Sequence, residues 1–177
     1  MKTQTKTRKI VSVILIMAAL ALNIAVLCME GNSIYLIVCT CLASVSLVAA
    51  LQYVLMGSGK NAAKFLRLFT VICAVAQASN CLYVAHLEPI GIAFTAVSLI
   101  LLLILAFWKD LGQRNTMAIC GLLLAVKAFG VIGSLVKFHA FDGTVCRAAA
   151  ETLLAVVLLL CYQAKYRDKA ARGRKLD

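Results

Sequence analysis

The sequence predicts an all-α fold: a polytopic membrane bundle of six transmembrane helices in three antiparallel hairpins, with both termini cytoplasmic. Composition is the first reason. Of 177 residues, 63% are hydrophobic, whereas soluble domains sit nearer half. The mean hydropathy of +0.97 points the same way. Periodic interruption is the second reason. Apolar runs cover 10–29, 34–56, 65–87, 89–108, 116–138 and 145–164, each near the ~20 residues needed to cross a ~30 Å hydrocarbon core. Charge asymmetry is the third.

That asymmetry is read from the basic residues. Lys2, Lys6, Arg8 and Lys9 precede the first run. Lys60, Lys64 and Arg67 sit at the second-to-third connection, and Lys109 and Arg114 at the fourth-to-fifth. Lys165, Arg167, Lys169, Arg172, Arg174 and Lys175 follow the sixth. Of the 18 basic residues only Lys127, Lys137 and Arg147 lie elsewhere. The positive-inside rule makes the crowded side cytoplasmic. The opposite turns carry the acids Glu30, Glu88 and Asp142. The chain thus divides into a basic cytoplasmic N-terminus (1–9), a transmembrane domain (10–164) and a basic cytoplasmic tail (165–177). The net charge of +11 is accounted for by topology and by attraction to anionic lipid, so membrane lipids are the expected partners and nucleic acid is not.

The first span begins as a secretory signal does, with basic then apolar residues. Its apolar run exceeds the ~7–15 residues of a signal core, so it is expected to be retained. Connections between spans are short, which makes consecutive helices antiparallel neighbours. The hairpins carry a faint internal likeness: Ala43-Ser44-Val45-Ser46-Leu47 in the second span matches Thr95-Ala96-Val97-Ser98-Leu99 in the fourth.

Inside the spans, polar residues gather at one depth. Lys127 has eleven residues of its run on either side. A lysine at the centre of a membrane helix costs roughly 2.5–3.5 kcal/mol on insertion scales. Counting at 1.5 Å per residue, Asn23, Gln77, Asn80, Lys127 and Glu151 fall roughly 16–22 Å from the inner boundary. Ser44, Thr95 and Ser98 lie close to that layer. Arg67, Thr70, Cys73, Ala74, Gln77, Asn80 and Cys81 follow steps of three and four, making one polar or small stripe on the third span. Cys120, Lys127, Gly130 and Ser134 do the same on the fifth. Arg147 and Glu151 share a face of the sixth. Polar groups in membrane helices point into the bundle, so spans three, five and six are expected to converge. Glu151 is the expected partner of Lys127, with Arg147 competing for the carboxylate. Gly130 and Ser134 form a small-xxx-small pair that would let helices approach closely.

Two readings of this layer follow. In the first, the protein is transport-type and binds a small solute through Lys127, Glu151, Gln77, Asn80 and Asn23. Lys127 would hold an anionic group or exchange its proton. In the second, the layer only fixes helix packing in a non-transporting scaffold or assembly subunit with membrane-protein partners.

Catalysis is not expected, because no Ser/His, Cys/His or paired-Asp constellation lies within the spans. No cofactor is expected. His86, Glu88, His139, Asp142 and Glu30 include metal-binding types, but they sit on separate turns without a joining motif, so no metal is assigned. The eight cysteines, Cys28, Cys39, Cys41, Cys73, Cys81, Cys120, Cys146 and Cys161, form no C-x-x-C pair and read as small packing residues. Cys28, Cys81 and Cys146 are the residual disulfide option.

Asp142-Gly143-Thr144-Val145-Cys146-Arg147 resembles a fragment of the Asp-Gly-x-x-Ala-Arg signature of CDP-alcohol phosphotransferases. Cys146 replaces the alanine, and Val156, Leu160 and Ala164 stand where that family's later glycine and aspartates belong. The two-metal site of that family is therefore not expected. In size, span number and its alanine-rich first span the chain resembles the substrate-binding components of energy-coupling factor transporters, a likeness of layout that implies no particular substrate.

The topology is testable. Reporter fusions at both ends should fluoresce as cytoplasmic green fluorescent protein and stay inactive as periplasmic alkaline phosphatase. An active phosphatase at either end would contradict the arrangement.

Overall fold

A computed structural model describes residues 2–30, 34–56, 60–84, 89–108, 111–138 and 143–173. All fall in or beside six helices: α1 (Lys2–Glu30), α2 (Ile34–Met56), α3 (Lys60–Val84), α4 (Pro89–Phe107), α5 (Gln113–Phe138) and α6 (Gly143–Gly173). No strand occurs among the described residues. Among the described residues, five helices are long and apolar enough to cross a bilayer. The apolar part of α4 runs 91–107, at the short end of the ~17–25 residues that suffice.

The sequence fragments at the two ends do not break from the helices. α1 begins at Lys2 and α6 runs to Gly173. Ala, Arg and Lys after 163 are strong helix formers, so α6 continues out of the apolar zone into the basic segment.

Each helix packs on its neighbours in chain order, and α1 also packs on α6, which closes a ring. α6 additionally touches α2 and α3 across the ring, making it the element against which most others are assembled. α3 and α5 have no Cα pair within 8 Å among the described residues. Only side chains bridge that seam.

The apolar core is concentrated toward the end of the bundle where α2 ends and α3 begins. Ile16, Leu47, Leu66, Phe69, Leu102, Leu123 and Leu158 are buried there in one cluster. A second, small cluster of Val26, Leu36 and Cys146 lies toward the outer face. Three tyrosines tie the inner half together. Tyr53 Oη donates to the Cys161 carbonyl at 3.0 Å. Tyr162 Oη lies 3.2 Å from Thr70 Oγ1 and donates to the Leu105 carbonyl at 3.3 Å. Tyr166 Oη lies 2.8 Å from Thr116 Oγ1 and donates to the Leu111 carbonyl at 2.8 Å. The Lys165 ammonium lies over both the Tyr162 and Tyr166 rings. The last apolar turns of α6 are thereby joined to α2, α3, α4 and α5.

All eight cysteines are free. Cys39, Cys73, Cys120, Cys146 and Cys161 are buried, as small packing residues are. The disulfide option among Cys28, Cys81 and Cys146 is not realised. His86, Glu88, His139 and Asp142 lie outside the described residues, as do the side chains of Glu30 and Lys137.

Two substitutions measure these contacts by thermal unfolding in a bilayer mimetic. Phe69→Ala should destabilise by about 3–5 kcal/mol through the cavity it leaves. Tyr53→Phe should cost about 0.5–1.5 kcal/mol, the net worth of one hydrogen bond. A larger loss from Tyr53→Phe than from Phe69→Ala would contradict the packing described.

Candidate functional site

The expected convergence of α3, α5 and α6 occurs. Lys127 Nζ on α5 donates to Glu151 Oε2 on α6 at 2.5 Å and to Gln77 Oε1 on α3 at 2.8 Å. The other carboxylate oxygen, Glu151 Oε1, accepts from Asn80 Nδ2 on α3 at 2.8 Å. Gln77 Nε2 continues the chain to the Thr95 carbonyl on α4 at 3.4 Å. Four helices are joined through one ion pair and two amides.

The reason lies in helical phase. Gln77 and Asn80 are three residues apart on the stripe of α3 that also buries Thr70, Cys73 and Ala74. Both amides therefore face the same interior. Gln77 offers its carbonyl to the ammonium while Asn80 offers its amide hydrogens to the carboxylate. Each charge thus receives a neutral partner of matching polarity. The Lys127 side chain is 11% exposed and that of Glu151 23%, so both lie largely inside the bundle.

Arg147, one turn outward from Glu151 on α6, is half-buried. The ion pair observed for Glu151 is with Lys127. Asn80 Oδ1 is buried without a hydrogen-bond partner.

Beside the pair is a cavity of about 30 Å³. Gln77, Lys127 and Glu151 form its polar side, and Cys39, Cys73 and Leu123 are among its apolar lining. One water needs roughly 10–15 Å³ by this measure, so the space is of water scale.

Not every expected member joins. Asn23 is buried, but its Nδ2 donates to Ser44 Oγ at 3.2 Å. It ties α1 to α2 and has no bond to the Lys127 cluster. Depth placed it in the layer, whereas the ring order places α1 against α2 and α6. Ser98 is also separate, donating to the Phe94 carbonyl of its own helix. The close approach expected at Gly130 and Ser134 does not occur within this chain. Gly130 is exposed, a Cβ there would meet nothing within 4 Å, and Ser134 Oγ bonds back to the Gly130 carbonyl.

The tyrosine ties were not anticipated from the sequence. Their signal was present: Tyr162 and Tyr166 stand one turn apart at and just beyond the end of the sixth span, Thr70 lies within the third, and Thr116 opens the fifth. Buried tyrosines seek a partner for the hydroxyl.

Among the described residues no group of three or more His, Cys, Asp or Glu is placed to hold a metal ion. Compared with protein-family models, with curated proteins and with solved structures, the chain matches none. The site and the helical membrane bundle that carries it are what define the protein's class.

Neutralising one partner strands the other. Lys127→Met or Glu151→Gln alone should cost about 3–5 kcal/mol, as breaking buried pairs does. The double variant should lose clearly less than the sum. Additive losses in a double-mutant cycle would show that the two side chains do not interact.

Proposed function

We propose that the protein is a small transport-type membrane protein, multi-pass in the cell membrane, that binds a small solute in the layer centred on Lys127 and Glu151. Gln77 and Asn80 supply hydrogen bonds to the same solute. Asn23 contributes only by holding α1 on α2. No catalytic role is assigned to any residue.

One observation carries this reading. The ion pair stands beside a cavity at the seam between α3 and α5, two helices that only side chains join. A structural tie would be expected where backbones already meet. Here the charges span a gap instead, so separating them opens a polar compartment inside the bundle. The cavity as it stands is of water scale, so a larger solute requires α5 to move outward. Movement of that kind is what alternating exposure of a midplane site needs.

A second reading is favoured by the satisfaction of the pair. Both carboxylate oxygens of Glu151 are bonded, and Lys127 has two acceptors. Such a layer serves equally as a packing lock in an assembly subunit with membrane-protein partners.

A thermal-stability screen in lipid nanodiscs separates the two. A ligand at a hundred times its Kd stabilises the folded state by about 2.7 kcal/mol. Small anions and carboxylic acids should include at least one that raises the melting temperature of the wild type and not of Lys127→Met. No response from any solute, together with co-purification of a stoichiometric membrane partner, would favour the assembly subunit.

A further inference from the structure

The Lys127 ammonium carries three N–H donors. One donates to Glu151 Oε2 at 2.5 Å and one to Gln77 Oε1 at 2.8 Å. The bonds among the described residues leave the third without an acceptor. A buried donor without a partner costs its full desolvation, and a charged one costs more than a neutral one. The side chain is largely buried, so the acceptor has to be found inside the bundle.

Acceptor capacity is in surplus at the same place. Glu151 Oε1, Glu151 Oε2 and Gln77 Oε1 each accept one bond from another side chain. Each of these oxygens has room for a second. Lys127, Glu151 and Gln77 all border the cavity of about 30 Å³. No other side chain in its wall carries a nitrogen or an oxygen; Ala43, Leu102 and Leu123 are typical of the remainder. The polar groups that face this space are therefore one spare donor and the oxygens of a carboxylate and an amide.

Size and charge select the occupant. Cavities with apolar walls stay dry, whereas a buried water makes two to four hydrogen bonds to polar groups around it. At roughly 10–15 Å³ for each molecule, about two waters fit. One ammonium stands against one carboxylate, so the wall carries no net charge and offers no preference for an ion. It suits a neutral molecule that both accepts and donates. We propose that this cavity is a built hydration site for about two waters, one of which accepts the third Lys127 proton and donates to Glu151 or Gln77. Charged side chains within membrane spans face water-filled cavities or each other, and here Lys127 does both. Water at the ammonium gives its protons a route of exchange that a dry pair lacks. It also keeps one N–H bonded when Glu151 or Gln77 is drawn away. Such a site stands with or without a transported solute.

Water itself is the probe. In nanodiscs of deuterated lipid, with isotope-labelled lysine, the Lys127 ammonium resonance is the one lost in Lys127→Arg, which keeps the charge. Its protons should show a nuclear Overhauser contact to water with the sign of a bound molecule. A resolved Lys127 resonance without that contact would overturn the site. The second measurement is thermal unfolding of Ala43→Val, which adds two methyl groups to the cavity wall at a half-buried position. Displacing bonded water with an apolar group forfeits its hydrogen bonds, so the melting temperature should fall by several degrees. In the uncharged background of Lys127→Met with Glu151→Gln, where the ammonium donor is gone, the same change should lower it less or raise it. Equal falls in the two backgrounds would mean overpacking alone and would overturn the hydration site. A rise in the wild-type background would overturn it too, as the filling of a dry void. The melting comparison decides by itself where the Lys127 resonance is broadened.

Discussion

The charge on Lys127 has to be offset inside a bilayer, and the arrangement of α3, α5 and α6 follows from how that is done. A lysine at this depth costs roughly 2.5–3.5 kcal/mol, and a carboxylate adds a comparable amount. An ion pair at about 4 Å in an environment of effective dielectric ~20 returns roughly 4 kcal/mol. Hydrogen bonds to charged groups add about 1.5–3 kcal/mol each. With Gln77 on the ammonium and Asn80 on the carboxylate, the terms balance to within a few kcal/mol. The pair alone falls short by about 1–3 kcal/mol, which the two amide hydrogen bonds cover. Both amides must therefore sit on one helix at matching phase, and that helix must face both charged ones.

This constraint explains a ring in which α3 and α5 are coupled without touching. Lysine is long enough to cross the seam and shorter residues are not. α6 lies against both sides because it supplies the carboxylate. Toward its C-terminal end it supplies Tyr162 and Tyr166, whose hydroxyls hold the same helices together. The bundle is thus fastened at two levels of different chemistry. One is charged, at mid-depth, beside a small cavity. The other is neutral and packed into the main apolar core. Outward of the charged level, no residue of α5 from Ala128 to Val136 is fully buried.

Much of this was legible in the residues. Helix number and type followed from apolar runs separated by polar turns, and the Lys127–Glu151 pairing followed from depth and adjacency. Gln77 and Asn80 were placed by their step of three. Depth alone misplaced Asn23, because depth says nothing about order around a ring, and Ser44 on the adjacent α2 took its amide. Gly130 and Ser134 suggested close packing because small residues permit it. They do not require it, and the outer half of α5 leaves the space open. The tyrosine hydroxyls escaped notice because residues near span ends read as interfacial anchors, whereas their partners are carbonyls on other helices. The 30 Å³ cavity could not be read from sequence, since it is the remainder after side chains of five helices are packed.

A charge swap tests the central claim most directly. In Lys127→Glu the layer holds two carboxylates, and in Glu151→Lys two ammonium groups, so each single variant should insert poorly and unfold at much lower temperature. The combined variant, Lys127→Glu with Glu151→Lys, restores opposite charges across the same seam, and both amides can rotate to match. Measured as folded yield and melting temperature in nanodiscs, the double swap should recover well above either single variant. A double swap no better than the worse single variant, or single variants as stable as the wild type, would contradict a bundle organised around this ion pair.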